Sequence, residues 1–111
     1  MTHPLLTKSS YSTLKTNNGV TYSYYLAPAK PGRPTILYLH GFPDDASGWL
    51  NAVIHFESLG YGSIAPDLLG YGSTDKPSDA QEYRLKKMAE SVSDIVRHSG
   101  VDKVVVAAHD W

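Results

Sequence analysis

The sequence predicts an α/β fold in which an antiparallel hairpin leads into parallel strands joined by crossover helices. Three observations carry this prediction. Residues 35–39 and 104–106 are short apolar runs, the composition of strands buried on both faces of a parallel sheet. Two intervening stretches repeat apolar residues at helical spacing. Ahead of them, Asn17-Asn18-Gly19 separates two segments rich in aromatic and β-branched residues, a strong hairpin signal.

The elements follow in order. Residues 11–15 and 20–27 read as the hairpin strands. Tyr22, Tyr24 and Leu26 alternate with Thr21, Ser23 and Tyr25, as in a half-covered antiparallel edge. Residues 28–34 contain three prolines and a glycine and form a loop. The apolar strand 35–39 is expected to be central. A helix follows, capped by Asp45 or Ser47, with Trp49, Val53 and Phe56 on its inner face, Leu50 and Ile54 widening that face, and Gly60 and Gly62 at its end. Residues 62–65 form a short strand, and 66–77 a long turn-rich loop. Ser78 or Asp79 opens a second helix whose stripe is Leu85, Met88, Ala89, Val92, Ile95 and Val96. Gly100 stops it, and 104–106 returns to the sheet. Alternation of strand and helix gives right-handed crossovers.

With 111 residues, the chain is expected to be a single unit, 1–111, whose first ten residues are irregular. Apolar residues at 41% and charged residues at 19% indicate a globular chain rather than a disordered one. Ten basic and eleven acidic residues nearly cancel, and no charge run points to nucleic acid. Absence of cysteine excludes disulfides, thiolate nucleophiles and cysteine-based zinc sites. The five histidines lack metal-ligand spacing, and no cofactor is expected. Neither a secretory signal nor a membrane span is read, so the cytoplasm is the default setting.

Two loops follow buried strands and carry unusual residues: His40 to Asp45, and His109 onward. Carboxyl ends of parallel strands are where open α/β sheets place ligands, so the two loops are expected to converge. Asp110 is an anion at neutral pH and needs no base before it attacks. A carboxylate is a modest nucleophile, suited to displacement at a strained or activated carbon. Attack leaves an ester on Asp110. Hydrolysis of that ester passes through an oxyanion that needs preorganised N–H donors, and the backbones of Trp111 and Phe42 are the natural ones. The competing reading of Asp110 is a helix N-cap, that of Trp111 a core residue, and that of His40-Gly41-Phe42-Pro43 a turn. An aromatic residue before Pro43 raises the chance of a cis bond, although trans is the base expectation. Gly70-Tyr71-Gly72 is a poor phosphate loop, because Asp75 stands where a third glycine belongs and no helix opens there. Asp67, Gly70 and Gly72 read instead as a shaped loop that holds the neighbouring site loop.

Pro66-Asp67-Leu68-Leu69-Gly70-Tyr71-Gly72-Ser73, His40-Gly41-Phe42-Pro43 and Ala108-His109-Asp110-Trp111, in their order and separation, resemble the amino-terminal part of an α/β-hydrolase-fold epoxide hydrolase. The resemblance runs from about residue 11 onward. It implies that Asp110 opens an epoxide to a hydroxyalkyl ester, later hydrolysed to a diol, and that the Phe42 and Trp111 N–H groups face the oxyanion. His40, Gly41 and Pro43 would shape the oxyanion loop. Ala108 would be the small residue the crowded elbow requires, with His109 supporting the turn. The implied partners are a small apolar epoxide and water, with no nucleic acid and no membrane. The nearest alternative is a haloalkane dehalogenase with the same nucleophile. That family usually places a polar halide donor where Phe42 stands. Fluoroacetate-type dehalogenases typically carry arginine in place of Trp111, and an esterase would need serine in the elbow. The family's general-base histidine, acidic partner and lid tyrosines have no match in the 111 residues. The chain alone is therefore expected to be inactive, or to form an ester that it does not turn over. A non-catalytic fragment is the other alternative. His109 does not replace the missing base, because neighbouring side chains on an extended strand point to opposite faces.

Overall fold

The computed structural model describes residues 3–42 and 44–109. Among them are five strands: β1 (Ser12–Lys15), β2 (Thr21–Ala27), β3 (Thr35–Leu39), β4 (Gly62–Pro66) and β5 (Val104–Ala108). Two α-helices join them, α1 (Leu50–Ser58) and α2 (Leu85–His98). The strand order is β1-β2-β4-β3-β5. β2 is antiparallel to both its neighbours, β1 and β4, and β4, β3 and β5 are parallel. The α/β architecture expected from the sequence is present, with β3 flanked on both sides as its apolar run demands.

Each face of the sheet has its own core. On one face, Tyr25, Ile36, Tyr38 and Ala65 pack with Val53, Leu50 and Phe56 of α1. On the other, Tyr22, Tyr24, Leu37 and Ile64 pack with Ile95, Met88, Val92 and Val96 of α2. Period-2 alternation along each strand divides its residues between the two.

Two expectations need correction. First, β2 is not a half-covered edge. It lies between β1 and β4, and four successive residues, Tyr22 to Tyr25, are buried. The cover on its second face is the amino-terminal lead, which forms two 3-10 turns, Pro4–Leu6 and Lys8–Ser10, and places Leu5 in the core beside Tyr11 and Tyr25. Second, the acidic caps do not open α-helices. Asp45 accepts from Ser47 N–H and caps the 3-10 turn Ala46–Trp49, from which α1 continues. Asp79 accepts from Gln81 N–H and caps Ala80–Tyr83, and α2 begins only at Leu85. A side chain that binds the N–H two residues on closes a tight turn first. β5 has the composition of a strand buried on both faces, yet among the described residues it is the uncovered apolar edge expected of the last strand in residues 1–111, with Val105 55% and Val106 57% exposed. No helix among the described residues is long and apolar enough to cross a membrane.

Candidate functional site

The carboxyl ends of β3 and β5 lie side by side. Leu39 pairs with Ala108, and His109 N–H donates to the Leu39 carbonyl at 3.2 Å. The two loops singled out from the sequence are therefore adjacent. His40, Gly41 and His109 line one cleft of about 290 Å³ together with Asp44, Gly48 and Trp49. Ala108 is exposed and borders a second, apolar groove with Leu39, Leu68 and Met88. Pro43, Asp110 and Trp111 lie outside the described residues, and so does the geometry of the Phe42–Pro43 bond.

The segment that leads from β3 into the 3-10 turn, residues 40–46, is held at its start and at its end by two consecutive residues, Leu68 and Asp67. At its start, the buried His40 accepts the Leu68 N–H on Nε2 at 2.9 Å. Nε2 must then be the unprotonated nitrogen, so Nδ1 carries the hydrogen and donates to the Gly41 carbonyl at 3.0 Å. At its end, Ala46 N–H donates to Asp67 Oδ1 at 2.9 Å. The Gly41 carbonyl also accepts from Asp44 N–H at 3.0 Å. That carbonyl shares a peptide plane with the Phe42 N–H, and in a trans peptide the two point in opposite directions. Two donors drawing the carbonyl one way therefore aim the Phe42 N–H the other way. The Phe42 side chain is 73% exposed, edge-on to Tyr71, whose ring is also edge-on to His40.

Asp67 anchors more than this loop. Its carboxylate is fully buried and also accepts Ser73 N–H at 3.1 Å, while its carbonyl accepts the Thr74 hydroxyl at 2.6 Å. Gly72 passes so close that a Cβ there would lie 2.2 Å from Asp67 Oδ2. The cation that balances this buried charge is Lys8, with Nζ 2.7 and 3.0 Å from the two oxygens. The Asp67 loop was legible from its spacing. Lys8 was not, because a lone lysine in a lead without periodicity carries no signal.

Electrostatics follow the packing. Burial alone lowers the Lys8 pKa, but hydrogen bonds and charge from Asp67, with Tyr11 beside it, more than offset this and raise it above its ordinary value. Burial raises the Asp45 pKa, yet the Ser47 hydroxyl and N–H and the Lys8 charge outweigh it, and the net shift is downward. Below α1, Glu57 takes Tyr25 Oη–H at 2.6 Å, Ser63 Oγ–H at 2.9 Å and lies 3.0 Å from His3 Nε2. Burial and that carboxylate push the Tyr25 phenol well up. No group of three or more acidic or histidine side chains among the described residues could hold a metal ion.

A family model described as the alpha/beta hydrolase fold matches residues 34–111. The chain belongs to the α/β-hydrolase family. Its mixed sheet is the N-terminal portion of that fold. It is 33% identical over 104 residues to epoxide hydrolase 2 of Siraitia grosvenorii, covering 94% of this chain and 32% of that protein. Against human epoxide hydrolase 4 it is 35% identical, across its whole length and 30% of the relative. Among solved structures, an epoxide hydrolase from Vigna radiata superposes with a TM-score of 0.82 at 30% identity, over 92% of this chain and 31% of that one. Epoxide hydrolase A of Mycobacterium thermoresistibile gives 0.81 at 28% identity, with the same coverage. The chain thus spans about a third of the length of these relatives.

Proposed function

We propose that the protein is an epoxide hydrolase-like hydrolase with Asp110 as nucleophile, residues 1–111 being the amino-terminal part of a single α/β-hydrolase domain. An Asp110 oxygen attacks a ring carbon of a small apolar epoxide, the ring C–O bond breaks, and the opened oxygen takes a proton from a general acid. Water, activated by a base, then attacks the ester carbonyl and releases the diol. In this reading, that acid and base are supplied from outside residues 1–111. The Phe42 and Trp111 N–H groups stabilise the oxyanion of the second step. His40, Gly41 and Pro43 shape the loop that presents the first of these donors. Ala108 leaves room for the elbow, and His109 supports it through its N–H on β3. No cofactor enters, no nucleic acid or membrane is involved, and the setting is cytoplasmic.

The observation that carries this reading is the two-ended anchoring of residues 40–46 beside the end of β5, which sets the Gly41–Phe42 peptide in one direction. The names of the relatives support the same substrate class. Phe42 supports an epoxide over a haloalkane, because its ring donates nothing to a departing halide. The test is mass spectrometry of the full-length protein quenched with a slowly hydrolysed epoxide. Asp110 should gain the mass of the intact epoxide, and Asp110→Asn should not. Esterification elsewhere, or halide release from a chloroalkane with no epoxide opening, would refute the reading.

A further inference from the structure

Lys8 Nζ touches more than Asp67. It lies 3.4 Å from Asp45 Oδ2 and 3.3 Å from the Tyr11 hydroxyl, and 4.5 Å above the Tyr11 ring centre. The two carboxylates it joins hold successive N–H groups at the exit of the 40–46 loop: Asp67 takes Ala46, and Asp45 takes Ser47 through both its N–H and its hydroxyl. Both therefore sit within 3.4 Å of one ammonium. Two carboxylates that share one cation repel each other once it is removed, and the Asp67 carboxylate is wholly buried while that of Asp45 is partly exposed. Without the ammonium, the favoured relaxation is for Asp45 to swing outward, since Asp67 is tied to the 66–77 loop on its other side by Ser73 and Thr74. Asp45 carries the loop exit with it.

We propose that Lys8 is a positioning residue for the oxyanion loop, bridging Asp67 and Asp45 so that residues 40–46 hold the Phe42 N–H at its working angle. The amino-terminal lead thereby becomes part of the catalytic apparatus although it touches no reacting atom. The role rests on the hydrolase reading given above, and it assigns Lys8 to a particular half-reaction. The oxyanion forms on hydrolysis of the Asp110 ester, not on ring opening. Loosening the loop should slow the second step and leave the first nearly intact.

The test compares Lys8→Met and Lys8→Arg with wild type in the full-length protein, by two readouts. In residue-resolved hydrogen exchange, Lys8→Met should speed exchange at Ala46 and Ser73 by about tenfold or more. The Asn17 N–H, bound to Asp94 in the turn after β1 at the sheet edge opposite β5, serves as the control and should be unchanged. In quenched-flow mass spectrometry with the slow epoxide, Lys8→Met should accumulate the Asp110 ester. Its kcat should fall by about ten- to a hundredfold, less than for outright loss of an oxyanion donor, while ring opening is little changed. Lys8→Arg, which keeps the charge and can grip a carboxylate with two N–H groups, should recover most of the rate. Equal acceleration at Asn17 would mean general loosening and would overturn the role. So would an unchanged Ala46, or a loss confined to ring opening. If exchange changes as expected but the wild type opens no epoxide, the hydrolase reading is what fails. If the wild type is active and Lys8→Met retains both its Ala46 protection and its kcat, only the role of Lys8 fails.

Discussion

Replacing Gly72 by alanine should unseat Asp67, and the size of the effect can be worked from the geometry. Gly72 has φ +54°, in the left-handed region, where a Cβ costs about 1 kcal/mol. The added carbon would also lie 2.2 Å from Asp67 Oδ2, far inside the ~3.5 Å of ordinary contact. Asp67 has no slack. Oδ1 holds Ala46 N–H and Lys8, and Oδ2 holds Ser73 N–H and Lys8. Moving it sacrifices at least one charge-assisted hydrogen bond, about 2 kcal/mol with the partner left unpaired. Gly72→Ala should therefore cost about 3 kcal/mol. Gly19→Ala is the matched control: its φ is +81°, but an added Cβ meets nothing within 4 Å, so only the backbone cost of about 1 kcal/mol remains. Urea unfolding of both variants reads the difference, which at a slope of ~2 kcal/mol/M is a gap of about 1 M in midpoint. Two midpoints agreeing to within about 0.2 M would show that Asp67 is not seated as described.

Two further predictions concern pH. The Asp45 pKa is lower in the fold than in the unfolded chain, so Asp45 adds stability above its unfolded value near ~3.9 and loses it as pH falls through the lower folded value. Asp45→Asn should thus show a shallower stability loss than wild type between about pH 5 and 2, measured by urea unfolding at each pH, and parallel curves would contradict this. Burial pushes the Tyr22 phenol up to about 12, opposed only in part by the Leu69 backbone. Its contribution is complete below the unfolded value near ~10 and fades as pH rises toward the folded one, so wild type should lose stability over that interval and Tyr22→Phe should lose less.

What could be read from the sequence had local causes. The apolar strand 35–39 emerges with those bounds as β3, because five residues bounded by a proline and a glycine-containing turn leave little choice. Asn18-Gly19 makes its turn because glycine accepts the positive φ found there. The nearness of the β3 and β5 ends follows from parallel pairing alone. What could not be read depended on distant partners. Alternation in β2 suggested one wet face, but that face is covered by Leu5 and Tyr11, which no periodicity marks. Asp45 and Asp79 were visible as caps, yet a short polar side chain caps a 3-10 turn as readily as an α-helix. Lys8 acquires meaning only once folding sets it against Asp67, 59 positions away.

Because both ends of the 40–46 segment are fastened to Asp67 and Leu68, the segment is not a portable unit. Swapping it for the equivalent stretch of a relative would carry over its side chains but not its bearing, unless the lead around Lys8 and the bend through Gly72 and Thr74 were transplanted too. Diversification of this fold by loop exchange would have to move three separate pieces of chain together.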